Sequence, residues 1–321
     1  MKENRREFIK NLSGLGLGIM AGNHIPFREV KIFNDSLAGS HDICVFSKHL
    51  QFLEYEEMAE TAATIGFDGV DLCVRPGGHV EPEKVKTDLP RAIKAIRKAG
   101  LKAPMMVTAI TDPEDPNTVP VLETAAGLGI QYYRMGYLPY DFKKGVAASL
   151  KEHQPKIDGL VKLNEKYKIR GNYQNHDGTN VGASVWDIWE LIKKHDPEWI
   201  GCQFDIRHAT VEGGHSWPVD MNLIAPYIQT IVIKDFRWGE KNGRMQVIDT
   251  PVGEGMVDFK KYFSLLKPLW KGGPVTMHFE YEMTDRPEKE MTKPEIKKQV
   301  MPAMTKDLKE LKNFMREAGL L

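Results

Sequence analysis

The stretch Glu54-Tyr55-Glu56-Glu57-Met58-Ala59-Glu60-Thr61-Ala62-Ala63-Thr64-Ile65-Gly66-Phe67-Asp68-Gly69-Val70-Asp71-Leu72-Cys73-Val74 decides how the chain is read. Met58, Ala62 and Ile65 recur at helical spacing and Gly66 follows as a stop, which predicts a helix with one apolar face. Gly69 to Val74 is then a short apolar run of strand length. A helix feeding a buried strand is part of a βα repeat, and the same alternation extends both ways. Upstream lies a strand over 43–47. Downstream, strands over 103–108, 130–135, 169–173, 199–204, 228–233 and 275–279 alternate with helices over 89–99, 119–128, 146–167, 185–194 and 259–269. A charged helix over 294–318 closes the chain. Pro155 is expected to interrupt or restart the 146–167 helix. Eight strands, each followed by a helix or helical turn, predict an α/β fold, a single (β/α)8 TIM barrel over 39–321. An open doubly wound sheet would place a Gly-rich phosphate turn after its first strand, and Phe46-Ser47-Lys48-His49 is not one.

The chain has 321 residues, of which 41% are hydrophobic and 27% charged, enough for one large barrel core. Its 44 basic and 44 acidic side chains cancel, so no basic excess points to nucleic acid and no charged tail to a polyanionic partner. Cys44, Cys73 and Cys202 each fall in a strand-like run and are read as buried, inert thiols.

Residues 1–38 read as a segment apart from the fold. Arg5-Arg6, then Phe8, then the short Gly-rich run 11–21 resemble a twin-arginine export signal. The run is too short to span a bilayer as a stable helix. Ser36-Leu37-Ala38 fits a cleavage site by residue type but lies far from the run, which leaves retention at the membrane open. The expectation is a periplasmic or exported protein that is not stably inserted once the signal is removed.

Strand ends facing one mouth carry the chemistry of such a barrel. They hold Lys48 and His49 after strand one, Arg75 and His79 after strand two, and Arg134 and Tyr137 after strand four. Strand five is followed by Gln174-Asn175-His176-Asp177, strand six by Asp205-Ile206-Arg207-His208, strand seven by Lys234-Asp235, and strand eight by His278 and Glu280. Gly77-Gly78-His79 and Gly213-Gly214-His215 read as flexible loops over this mouth.

Four of these segments resemble motifs of the xylose isomerase-like barrel superfamily, which includes sugar isomerases and epimerases and related 3-keto-glycoside lyases. Phe204-Asp205-Ile206-Arg207-His208 is similar to its Asp-x-x-His, and Gln174-Asn175-His176 to its Glu-Asn-His. Ile231-Val232-Ile233-Lys234-Asp235 is similar to its His-x-Lys-Asp, and His278-Phe279-Glu280-Tyr281 to its last strand. Gly66-Phe67-Asp68-Gly69-Val70-Asp71 is similar to its Gly-Phe-x-Gly-Val-Glu. The likeness covers roughly 40–285 and implies a divalent metal (Mn, Zn, Mg or Co) held by strands five to eight. Carried over, those positions are Gln174, Asp205, Val232 and Glu280. An amide replaces one carboxylate, and Val232 cannot ligate. Asp205 and Glu280, helped by His176 and His208, form the expected ligand set, with Gln174 at its edge. A barrel without metal, using Lys234 or an arginine as electrophile, is the alternative.

The family's chemistry implies removal of a proton beside a carbonyl of an unphosphorylated carbohydrate. Gln174 cannot serve as a second base, so Glu280 or Lys234 is the expected base, with His208 as a further catalytic residue. Lys48, Arg75, His79, Arg134, Arg207, Asp235 and His278 are the expected substrate-binding groups. A 3-keto-glycoside lyase acting by β-elimination shares the first step. A non-catalytic periplasmic carbohydrate-binding barrel, stacking sugar on Tyr133, Tyr137, Trp217 and Trp238, is the reading from another class. The partner in every case is a small carbohydrate, and a homo-oligomer stays open.

Overall fold

The computed structural model describes residues 41–321, so the export signal expected over 1–38 lies outside the described residues. The first barrel strands are β1 (Ile43–Phe46), β2 (Gly69–Cys73), β3 (Lys102–Val107) and β4 (Tyr132–Arg134). They continue with β5 (Arg170–Gln174), β6 (Ile200–Asp205), β7 (Ile228–Ile233) and β10 (Val275–Met277). The sheet closes in the order β1-β10-β7-β6-β5-β4-β3-β2, with every pair parallel. This is a (β/α)8 TIM barrel. Every residue of β1, β2, β6 and β7 is buried, because helices cover the outside and side chains fill the inside.

The helices are α1 (Tyr55–Ile65), α2 (Val85–Lys98), α3 (Thr118–Gly127), α4 (Val146–Tyr167), α5 (Val185–Ile192), α6 (Ile206–Gly213), α7 (Trp217–Ile224), α8 (Phe259–Leu266) and α9 (Lys293–Glu317). α1 buries Met58, Ala59, Ala62 and Ile65, and ends on Gly66, whose φ of 101° lets its N–H reach back to the Ala62 and Ala63 carbonyls. α4 runs unbroken through Pro155, contrary to the expected restart. Pro155 and Lys151, four residues earlier, both lie on the exposed side, where water can satisfy the carbonyl that lacks an N–H partner. α9 opens with a capping box between Thr292 and Glu295. Gly213 closes α6 and Gly214–Ser216 forms a 3-10 turn, so this glycine pair is a helix junction, not an open loop.

Between β7 and β10 the chain leaves the barrel as an antiparallel hairpin, β8 (Asp235–Lys241) and β9 (Arg244–Thr250), that the sequence reading did not anticipate. Its turn residues Asn242 and Gly243 have φ of 55° and 72°, the left-handed pair of a tight hairpin turn. The three cysteines are buried and free. Among the described residues no helix is long and apolar enough to cross a membrane.

Candidate active site

The mouth is built first around Asp205, the last residue of β6 and also the N-cap of α6. Its Oδ1 accepts the His208 backbone N–H at 3.2 Å. Asn175, just beyond β5, clamps the same residue: its Oδ1 accepts the Asp205 N–H at 2.7 Å and its Nδ2 donates to the Asp205 carbonyl at 2.9 Å. The carboxylate is fully buried, and its Oδ2 takes the Gln174 amide at 2.8 Å and the Lys234 ammonium at 3.2 Å. Burial pushes this carboxyl up, but His208 and Lys234 hold it below the usual carboxylate range.

Lys234, just past β7, also lies with Nζ 2.6 Å from His208 Nε2, while His208 Nδ1 lies 2.5 Å from Asp177 Oδ1. Burial pulls the imidazole down to about 4, so it is neutral at physiological pH. A neutral ring that donates from Nδ1 to Asp177 has its Nε2 lone pair turned to the ammonium. Two of the three Lys234 donors are thereby held, and one remains for an oxygen in the cavity.

The opposite side of the mouth comes from β1, β2, β4 and β10. Glu280 meets the Lys48 ammonium at 3.2 Å. Burial pushes its carboxyl up, but Lys234, His49 and Lys48 outweigh that, so it is ionised. His278 stacks on Phe46 with ring centres 4.6 Å apart, and its Nε2 has no hydrogen-bond partner. Burial, reinforced by Lys234, keeps its imidazole neutral. Arg134 ends β4 and donates from Nη1 to Gln174 Oε1 at 2.9 Å and to the Tyr137 hydroxyl at 3.3 Å. The Tyr137 hydroxyl donates to the same Gln174 oxygen at 2.7 Å. Lys48, Arg75, Arg134, Lys234 and Glu280 face one open cavity of about 110 Å³, with Gln174, His176 and His278 in its wall. A separate cavity of about 100 Å³ near Pro76 and Asn117 has no basic or imidazole side chain in its wall.

Several expected site residues lie elsewhere. Asp235 is not in the cavity wall: its carboxylate accepts the backbone N–H groups of Phe236, Gly253, Gly255 and Val257 and so pins the hairpin's return. Arg207 does not face the cavity either, because its guanidinium is engaged by Asp177 at 2.9 Å and by Asp249 of β9 at 2.7 Å. His79 points its Nδ1 to Ser47 Oγ at 3.0 Å, outside the cavity wall. Asp205 and His208 stand behind Lys234. Of the aromatic residues expected to stack on sugar, Tyr133 and Trp217 are buried in the core, and only Tyr137 lines the cavity. Asn175 and Asp177 stood in the expected strand-five end without a role, and the structure gives them one: Asn175 clamps the Asp205 backbone and Asp177 meets His208 and Arg207.

The expected metal position fails on the same geometry. Val232 offers no donor atom, and the Gln174 oxygen is engaged by Arg134 and Tyr137. The Lys234 ammonium already occupies the open face of Asp205, where a second cation would be repelled. The residues do not fit a divalent ion between Asp205 and Glu280. Two of the expected ligands, His176 and His208, do come together, with Asp177 as the third member of a group that could hold a metal ion, its ligand atoms within 4.8 Å of one another. Arg207 Nη1 lies 2.9 Å from both Asp177 Oδ2 and His208 Nδ1 there.

A closed parallel barrel with its ionisable groups gathered at the C-terminal mouth defines a TIM-barrel protein of the kind that carries its site on βα loops. The chain belongs to the xylose isomerase-like TIM barrel family, whose sequence profile matches residues 59–297. It is similar in structure to the IolI protein with a bound zinc atom, with a TM-score of 0.65 and 15% identity over 87% of this chain and all (100%) of the other. A xylose isomerase-like barrel from Mycobacterium smegmatis in complex with magnesium gives 0.64 and 11% over 88% of this chain and 99% of that one. The 3-keto-D-glucoside 4-epimerase of E. coli gives 0.62 and 13% over 85% and 99%. At these identities the likeness establishes the fold. No curated protein matches the chain in sequence.

Proposed function

We propose that this barrel is an isomerase or epimerase-class enzyme that removes a proton from the carbon beside a carbonyl of an unphosphorylated sugar. Glu280 acts as the base, and Lys234 donates a hydrogen bond to the carbonyl oxygen as negative charge develops on it. The observation that carries this reading is the placing of Lys234. Asp205, His208 and Asp177 hold its ammonium against the cavity that Glu280 also lines. A preorganised donor aimed at a developing oxyanion is a large source of catalysis in a desolvated site. His208 positions Lys234, and His278 and Lys48 border the base. The family's sugar epimerases and isomerases support the class.

Gln174 stands where a second carboxylate base would be needed for symmetric epimerisation, and its side chain is tied to Arg134, Tyr137 and Asp205. That single-base arrangement also supports β-elimination from a 3-keto-glycoside, which begins with the same proton. A carbon–carbon double bond in the product separates the two outcomes. The test of the shared step is incubation of candidate keto-sugars in deuterium oxide, followed by NMR. Deuterium should enter at the carbon next to the carbonyl. A substrate that turns over without exchange, and with no isotope effect from deuterium placed there, sinks the mechanism.

The proposal includes export through Arg5-Arg6. In cell fractionation the Arg5→Lys/Arg6→Lys protein should stay in the cytoplasm, and equal export of variant and wild type would remove this part.

A further inference from the structure

Two buried or half-buried guanidinium groups of the same mouth can be compared. Arg207 is 7% exposed and has two carboxylates, Asp177 and Asp249, on its nitrogens. Arg134 is 5% exposed, lines the cavity, and has no ion-pair partner among the described residues. Its Nη1 meets only an amide oxygen and a phenol, and its Nε has no partner at all. A buried cation without a counter-ion is costly. Arg75 repeats the pattern at the end of β2. It lies 5.7 Å over the Phe46 ring, lines the same cavity, and also lacks an ion-pair partner among the described residues. The buried carboxyl within their field is Asp71 of β2. Burial pushes it up to about 7 against the pull of the neighbouring Thr276 hydroxyl and of Arg134 and Arg75, and it forms no ion pair with either guanidinium among the described residues. The other two cations of the wall are matched, Lys48 by Glu280 and Lys234 by Asp205.

We infer that the substrate is an acidic sugar whose carboxylate binds between Arg134 and Arg75, completing the charge balance of the cavity. This deepens the proposed function and rests on its reading of the cavity as the substrate site. A carboxylate suits a planar guanidinium fork. A sugar phosphate fits less well. Barrels commonly hold phosphate on loop N–H groups after the seventh and eighth strands, and here the N–H groups of Gly253, Gly255 and Val257 are already taken by the Asp235 carboxylate.

The experiment is calorimetric titration of the full chain with D-glucuronate, D-gluconate, D-glucose and D-glucose 6-phosphate. The two acids should bind about 10- to 100-fold more tightly than D-glucose, as expected for hydrogen bonds to a charged group. Arg134→Gln should bring that ratio close to one. Arg75→Gln, at a partly exposed position that tolerates change, should lower it as well. Equal affinity for acids and D-glucose, or a ratio that survives both substitutions, overturns the inference. Tighter binding of the phosphate than of either acid overturns the choice of carboxylate. Glu280→Gln should keep the acid preference while abolishing proton exchange. An acid preference in a protein that exchanges no proton would therefore remove the proposed reaction and leave this inference standing.

Discussion

The half of the mouth formed by β5, β6 and β7 differs from the half formed by β1, β2, β4 and β10 in how completely its charges are matched. In the first half, Asp205, Gln174, His208 and Lys234 are buried and hold one another, with one Lys234 donor left toward the cavity. In the second half, Glu280 has one partly exposed lysine, and Arg75 and Arg134 have no ion-pair partner among the described residues. A matched buried network fixes geometry and leaves little to offer a ligand. An unmatched wall gains most when a ligand arrives. In the proposed reaction the first half therefore sets the position of one ammonium, and the second half is the one that reads the substrate and removes its proton.

This contrast predicts opposite outcomes for a charge removed from each half. Glu280→Gln should lower proton exchange by roughly 10²–10⁴-fold, the usual contribution of one general base. Its unfolding midpoint in urea should hardly move, since its Lys48 partner is exposed. Lys234→Met should instead cost about 3–5 kcal/mol of stability, because it strands the Asp205 carboxylate without its cation. Adding Asp205→Asn to that variant should recover part of the loss. If both single variants unfold alike, the division of the mouth into a fixed half and a reading half is wrong.

Most of the barrel was legible in the sequence because its signals are local. Met58, Ala62, Ile65 and Gly66 announce a helix and its end within a few residues, and Val70 to Cys73 announce a strand. The β8–β9 hairpin has a local signal too, Asn242-Gly243 between alternating runs, but it interrupts the βα repeat that dominates the sequence. Pro155 misled because propensity alone cannot say which side of α4 meets water. The site was legible as a list of strand ends and not as a set of partners. Lys234 and Asp205 are joined by the closure of β6 against β7, and no spacing rule shows that the ammonium fills the place expected for a metal. Asp235 and Arg207 carried the right chemistry for substrate binding, but Asp249 lies in a hairpin that the repeat pattern does not announce, and Gly253, Gly255 and Val257 lie just beyond it.

The reading half also contains neutral imidazoles, which makes it acid-sensitive. His49 Nε2 accepts the Phe279 N–H at 3.1 Å, and burial pulls its imidazole down to about 3. An unfolded histidine gains its proton near pH 6.5, so below that value the unfolded chain binds a proton that the folded chain refuses. The contribution of His49 to stability must then fall as pH falls, by up to about 1.4 kcal/mol per pH unit, while the raised carboxyl of Asp71 contributes with the opposite sign. Urea midpoints between pH 6.5 and 5, above the range where most carboxylates titrate, should show the slope. His49→Asn should flatten it, and an unchanged slope would mean that other groups dominate.

The smallest effect expected is that of removing metal. The fixed half already supplies a positive charge beside Asp205 through Lys234, and Gln174 and Val232 provide no ligand for an ion there. Prolonged dialysis against EDTA should leave the rate of proton exchange within about twofold of its starting value, since no transition-state interaction is lost. Added zinc or magnesium should not raise it. An ion bound by His176, Asp177 and His208 would behave differently. It would have to displace Arg207 from Asp177 and draw His208 away from Lys234, so adding zinc would slow exchange and chelation would restore it. Loss of exchange on chelation, with recovery on adding the ion back, would be the opposite result. It would transfer the positive charge of the reaction from the lysine to a metal and undo the division of labour between the two halves.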